Sequence, residues 1–305
     1  MRQASTRIGA APAGGGAPVA SPSVRAAMDD DGAGLVLTRE LARVLGEPHA
    51  GADGRHRGEP SPFGRGEAVG RVSAVCAVER LRPDCGSPGV SAIHKAAIAG
   101  AVAVNSLGIV VDQQADRAHH GGLDKALYVM SGAEARHWSR ELGGIGPGAL
   151  GENMLIEDDG AAGIDDVEIG AVLSIGPPGR SDHPGRGAED RGSPGSDGIL
   201  VRVTGVRNPC STFARGMGRA DWVELFSARD RVGVYLSVLA EGRVRAGDEV
   251  RVVSTAGHGV SCRRWFAHHD PRDARAVLAA EARGDCVIAD FTRKYLLAAV
   301  DEPVG

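Results

Sequence analysis

The sequence predicts a mainly β protein: a β-barrel with a few helices, followed by a small C-terminal helical domain. Two observations carry this expectation. Short Val- and Ile-rich segments punctuated by glycine recur between Gly70 and Ser254, and many short strands with few helices favour closure into a barrel. Beyond Ser254 the apolar residues recur at helical spacing instead.

Residues 1–27 carry three arginines, no acid and a run of Ala, Gly, Pro and Ser. Such a composition cannot bury enough apolar surface to order itself. A short helix is expected around Leu35–Leu45 in GLVLTRELARVLG, before residues 46–68 return to Gly, Pro, His and Arg. Residues 1–68 therefore read as an extension, either disordered or added by a mis-assigned start.

Order is expected from Gly70-Arg71-Val72-Ser73-Ala74-Val75-Cys76, and a barrel domain over residues 69–255. The segments VSAIHKA, AVAVNSLGIVVD, VEIGAVLSIG, ILVRVTGVR and DEVRVVS all have strand composition. GLDKALYVMSGAEARHWSRELG reads as a helix, with Ala126, Met130, Ala133 and His137-Trp138 at helical intervals. A second helix is expected at Asp221–Phe226. Residues 177–198, PPGRSDHPGRGAEDRGSPGSDG, read as a disordered insertion at a hairpin tip rather than a domain boundary, because the flanking strands look like sequential pairing partners. Residues 256–305 form the helical domain, with Asp270-Pro271 as cap and first turn of one helix.

Composition narrows the class. The 305 residues are 42% hydrophobic and 24% charged, ordinary for a globular chain, whereas 45 glycines are roughly twice the usual share and point to much loop. A net charge of -4 argues against nucleic acid as a partner. No apolar run is long enough to span a membrane, and the N-terminus lacks the apolar core of a secretory signal. Cysteines at 76, 85, 210, 262 and 286 are odd in number and fit neither a disulfide framework nor a CxxC zinc site. They read as reduced thiols of a cytoplasmic protein.

Four pieces hold chemistry-bearing residues. The first is Asp112-Gln113-Gln114-Ala115-Asp116-Arg117-Ala118-His119-His120-Gly121-Gly122-Leu123-Asp124-Lys125. Paired glycines after a histidine let backbone approach a ligand and offer N–H groups to an anion, with Arg117 and Lys125 adding charge. Against this stands a plain Gly-Gly turn before a helix. The second, Gly148-Ala149-Leu150-Gly151-Glu152-Asn153, suits a tight loop that turns polar groups inward, or a simple connection. The third is Ile93-His94-Lys95 at a strand end, where Lys95 faces either a cleft or solvent. The fourth is Thr204-Gly205-Val206-Arg207-Asn208-Pro209-Cys210, in which an arginine three residues before a thiol favours the thiolate. The alternative there is an inert buried cysteine, which is also the reading for the other four.

In this order, the pieces resemble the MOSC domain, named for the C-terminal part of molybdenum cofactor sulfurase, and in particular its stand-alone, YiiM-like branch. The resemblance covers roughly residues 70–255. It rests on Ile93, Lys95, Asp112, Gln114-Ala115-Asp116, His120-Gly121-Gly122, Lys125-Ala126, Tyr128, Gly151-Glu152-Asn153, Arg207 with Cys210, Tyr235-Leu236-Ser237-Val238-Leu239, and Gly242, Val244 and Ala246-Gly247-Asp248. The family usually has glycine where Val111 stands, arginine where Ala118 stands and glutamine where Asn208 stands.

The resemblance implies a MOSC-type β-barrel that binds a molybdenum–pterin cofactor. It implies Cys210 as the metal ligand, with His120 as a second catalytic group that delivers a proton. Lys95, Arg117, Gly121, Gly122, Lys125, Glu152, Asn153 and Arg207 would then surround the anionic cofactor. One implied function is molybdenum-dependent reduction of N-hydroxylated compounds. Its electrons would come from a ferredoxin- or flavin-type partner, since the chain has neither a ferredoxin-type cysteine cluster nor a flavin glycine motif. The alternatives are a non-catalytic cofactor carrier or sulfur relay through a Cys210 persulfide, and a domain whose site has decayed. Homodimerisation is left open.

Overall fold

The computed structural model describes residues 60–86, 89–115, 121–158, 162–177 and 198–301, all within one compact unit. The extension before residue 60, the helix expected at Leu35–Leu45, most of the 177–198 segment, and Asp116 to His120 lie outside the described residues.

The described residues form thirteen strands and six α-helices. The strands are β1 (Ala68–Val78), β2 (Arg82–Pro83), β3 (Val90–Ser91), β4 (Lys95–Ala97), β5 (Val102–Asn105), β6 (Gly108–Ile109), β7 (Leu127–Ser131), β8 (Met154–Glu157), β9 (Val172–Ile175), β10 (Ile199–Val206), β11 (Val234–Ala240), β12 (Gly242–Val244) and β13 (Glu249–Ser254). The helices are α1 (Gly132–Glu141), α2 (Ser211–Met217), α3 (Trp222–Ser227), α4 (Cys262–His268), α5 (Pro271–Arg283) and α6 (Asp290–Asp301).

Seven strands close a barrel in the order β1-β13-β9-β10-β11-β7-β8, with β8 returning to β1. Every neighbouring pair is antiparallel except β7 and β8. Closure leaves no unpaired barrel edge. The seam is the β1–β13 pair, where Ala68 lies opposite Arg251 and Arg71 opposite Glu249. Strand β9 pairs with β10, Ile175 opposite Ile199, so the residues flanking the 177–198 segment are direct ladder neighbours.

Residues 123–141 correct the single helix expected there. A short 3-10 turn at Leu123–Lys125 leads into β7, and only then does α1 begin. All five residues of β7 are buried, and a strand covered on both faces shows no alternation, so its apolar run has no distinguishing period. Similarly, the expected strand VSAIHKA is two short pieces, β3 and β4, and Lys95 opens β4 rather than closing a strand.

After β13 the chain is helical, and the starts of α4 and α5 are capped as their sequence dictates. Ser261 Oγ accepts from the Arg264 N–H at the start of α4, and the Asp270 side chain accepts from the Arg272 N–H ahead of Pro271 in α5. Trp265, Val277, Leu278 and Leu296 from these helices share one apolar core with Val201, Val203 and Leu236 of the barrel. Close approach is possible because Gly205 of β10 has no side chain: a Cβ there would lie 2.1 Å from Thr292 Oγ1. That hydroxyl instead donates to the Thr204 carbonyl at 2.6 Å.

Candidate functional site

A cleft of about 760 Å³, counting the solvent in its mouth, opens where β7 and β8 begin. Lys95, Lys125, Tyr128, Gly151, Asn153, Arg207, Cys210 and Tyr235 line it. These come from five segments that the barrel brings together: the start of β4, the 3-10 turn and β7, the loop before β8, the residues after β10, and β11.

Arg207 is buried in the cleft wall. It leaves β10 with its N–H donated to the Gly233 carbonyl at 3.0 Å, and only 5% of the residue is exposed. Its guanidinium stacks 3.7 Å from the Phe213 ring centroid, 4.9 Å from Tyr128 and 5.6 Å from Phe226. Aromatic faces attract the cation but accept few of its five N–H donors. Arg207 opposes the burial-driven rise of the neighbouring Tyr235 phenol, and its buried Nη1 has no hydrogen-bond partner. A buried guanidinium donor left in that state favours an anionic acceptor from outside the protein.

Cys210 follows at the residue preceding α2, half-buried and reduced. It is the one cysteine lining the cleft among the described residues. Cys76 and Cys262 are buried. Burial, with Glu152 and Asp112 nearby, pushes the Cys76 thiol up to about 12, and Cys286 is raised to about 12 for the same main reason. Such thiols stay protonated and inert at neutral pH. Cys85 is exposed.

Lys95 is neutralised in place. Lys95 Nζ lies 2.6 Å from Asp112 Oδ2, with only 10% and 7% of the two side chains exposed. The same oxygen accepts from Asn153 Nδ2 at 2.8 Å, and Oδ1 accepts from the Val78 N–H at 2.8 Å. Asn153 Oδ1 in turn accepts from the Tyr128 N–H at 3.1 Å. Lys95, Asp112 and Asn153 are thus one network tying β1, β4, β7 and β8 under the cleft. Lys125 Nζ sits 4.6 Å from the Phe291 ring centroid and 5.7 Å from that of Tyr235, so α6 supplies part of its cradle.

Glu152 is placed differently from the cofactor contact expected of it. Only 1% of it is exposed, and its carboxylate accepts from the Gly148 N–H and, at 3.1 Å, from the Leu150 N–H. Burial raises its pKa and these two donors oppose the rise. Its observed role is to fold the loop that presents Gly151 and Asn153. Gly121 and Gly122 do not line the cleft directly. The Gly122 N–H donates to Gln114 Oε1 at 3.1 Å, and Gln114 lines the rim. Arg117 and His120 lie outside the described residues.

Tyr235, Thr212 and Ser91 also line the cleft and were not among the residues picked out as candidates. Burial raises the Tyr235 phenol, opposed by Arg207. A tyrosine in the alternating strand VYLSVLA was the available clue, because a phenol in a buried strand needs a polar partner.

A model of the MOSC domain family matches residues 116–251. The uncharacterized protein YflK of Bacillus subtilis is 27% identical over 191 residues, 60% of this chain and 75% of that protein. Protein YiiM of Escherichia coli is 27% identical over 169 residues, 54% of this chain and 64% of that protein. The crystal structure of YiiM from Geobacillus stearothermophilus superposes with a TM-score of 0.53 at 19% identity, covering 75% of this chain and 98% of that one. YiiM from Escherichia coli gives 0.50 at 18%, covering 77% and 95%. At these identities the superpositions speak to the fold alone. Lys95 and Asp112 precede the matched stretch: Lys95 opens β4, which pairs with β1 outside the seven-strand ring, and Asp112 lies in the loop after β6.

Proposed function

Because this chain carries a MOSC domain, we propose that its cleft binds a molybdenum–pterin cofactor and that the protein is an oxidoreductase acting on N-hydroxylated compounds. The observation that carries this reading is the unpartnered, buried Nη1 of Arg207 beside the cleft thiol. The donor set fits such a group. Cys210 offers a soft thiolate suited to a molybdenum centre, Arg207 and Lys125 offer charge to its anionic part, and Lys95, already paired with Asp112, adds ammonium N–H donors.

When bound, the cofactor supplies a metal centre that changes oxidation state, chemistry no side chain here can provide. The protein's own residues bind and orient. Cys210 would hold the metal, and Arg207 would donate to an anionic oxygen without having to give up an existing Nη1 bond. Tyr128, Phe213 and Phe226 keep water from the guanidinium, which strengthens its pull on an anion. The Asp112 network fixes Lys95 and Asn153 in position. His120 is the proposed proton donor, adjoining Gly121 in the sequence. The overall change takes two electrons and two protons, converting an N–OH group to N–H with release of water. The electrons come from a separate ferredoxin- or flavin-type donor protein.

The test is molybdenum content and turnover together. Protein produced with an intact cofactor supply is expected to hold stoichiometric molybdenum. Cys210→Ser is expected to lose it, and Arg207→Gln to retain well under half. Reduction of an N-hydroxylated purine with an added electron donor is expected from the loaded protein. Molybdenum absent from correctly folded wild type would overturn the reading, and molybdenum without turnover, alongside a persulfide on Cys210, would favour a sulfur relay.

A further inference from the structure

The cleft is also bounded by Val90, Ser91, Ala92 and Ile93, the strand β3 and the residues that follow it. Strands β2 and β3 form a hairpin of two residue pairs, Arg82 with Ser91 and Pro83 with Val90, and neither strand is buried. A two-stranded ladder this short does not hold its own position in water. Something outside it must.

That hold comes from the helix that begins after Cys210. Arg215 of α2 meets Asp84, the residue after β2, with Nε to Oδ1 and Nη2 to Oδ2 both at 2.7 Å. The fork-on-fork geometry fixes orientation as well as distance. Asp84 is the more enclosed partner, its side chain 9% exposed against 31% for Arg215. The Gly86 N–H also donates to Asp84 Oδ2 at 3.2 Å. Arg215 Nη2 reaches back to Thr212 Oγ1 at 3.0 Å, and Thr212 lines the cleft beside Cys210. Both ends of this contact leave no slack. A Cβ on Gly86 would lie 2.3 Å from Arg215 Nη2, and one on Gly216 would lie 2.9 Å from Ile93 Cγ2.

We propose that Asp84 and Arg215 are specificity-determining residues: they fix the β2–β3 hairpin as the outer wall of the cleft and so set the size of molecule that reaches Cys210. The inference goes beyond the cofactor reading and depends only on Cys210 and the hairpin sharing one cleft. It predicts that removing the pair widens the cleft without unmaking the barrel, because neither residue belongs to a barrel strand.

The test measures access to the thiol, with no cofactor present. In a Cys85→Ser background of the 305-residue chain, alkylation of Cys210 is followed by peptide mass spectrometry. Two reagents are compared, N-ethylmaleimide and a maleimide carrying a polyethylene glycol chain. Asp84→Asn and Arg215→Gln are each expected to raise the ratio of bulky to small reagent rates by about fivefold or more, the scale set by loss of one bidentate ion pair. Circular dichroism of the barrel is expected to be unchanged. The exchanged pair, Asp84→Arg with Arg215→Asp, is expected to bring the ratio back towards that of the starting protein. If the bulky reagent reacts no faster in either single variant, or already matches the small one in the starting protein, the proposal is overturned. Neither outcome bears on molybdenum content, so the two readings fail separately.

Discussion

Three donors converge on the carboxylate of Asp112: Lys95 Nζ, Asn153 Nδ2 and the Val78 N–H. Replacing it with asparagine keeps the shape but turns an amide toward donors and strands a buried ammonium. Asp112→Asn is therefore expected to destabilise the fold by about 3–5 kcal/mol, the range for breaking a buried ion pair from one side. Urea unfolding with an unchanged m-value checks it, and a loss under about 1 kcal/mol would show the network to be solvated and weak. At this scale the sequence was informative about residue type but not about company. Lys95, Arg207, Asn153 and Cys210 could be picked out, since each sits in a short polar piece beside a turn or strand end. The aromatic cage could not, because Tyr128, Phe213 and Phe226 lie on three elements and only the packed barrel joins them. Glu152 looked like its neighbour Asn153, and the difference arises from backbone N–H groups that turn its carboxylate inward.

Among the elements, the contact between β10 and α6 is the tightest test of the packing. Thr292 Oγ1 occupies the space a side chain on Gly205 would need, and it spends that proximity on a hydrogen bond to Thr204. Gly205→Ala is expected to push α6 off the strand and cost about 1–3 kcal/mol, typical of overpacking. Because Phe291 on the same helix borders Lys125 and Tyr235, the same variant is expected to loosen the cleft. Hydrogen exchange of α6 amides, faster in the variant than in the barrel strands, would register it; uniform protection would contradict it. The helices beyond β13 were readable because caps are local: Asp270-Pro271 declares a start within two residues. Strand β7 was not readable, since Leu127-Tyr128-Val129-Met130 is buried between β11 and β8 and carries no alternation.

For the molecule as a whole, one buried acid links folding to pH. Asp165 accepts from the Gly233 N–H at 2.7 Å, while its other oxygen has no partner. Burial raises its pKa from 3.8 to about 7. The folded chain therefore holds this proton over a range in which the unfolded chain has released it. Its contribution to stability is present at low pH, declines as pH rises between those two values, and is absent above the upper one. Asp165→Asn keeps an acceptor for Gly233 and removes the titration. Its melting temperature relative to the parent is expected to rise from about pH 5 to about pH 8. A difference that stays constant would mean the carboxylate is solvated. No helix among the described residues is long and apolar enough to cross a membrane. The barrel class itself was legible from strand count and glycine spacing, but strand order was not, because pairing partners far apart in the chain leave no local mark.

The β1–β13 seam has a kinetic meaning. Ala68 opens the first of the described strands, and its partner Arg251 lies in the last barrel strand. During synthesis, the first strand emerges long before the strand that completes its pairing. Until then β1 can use only its other neighbours, and the sheet is an open ribbon with β13 still to come. The ring shuts last, across the longest chain separation in the barrel, where loop-closure entropy is greatest. The interval before closure is when an exposed strand edge can recruit a second chain. A barrel closed in this way is therefore most vulnerable to association as a nascent chain, before its final strand arrives.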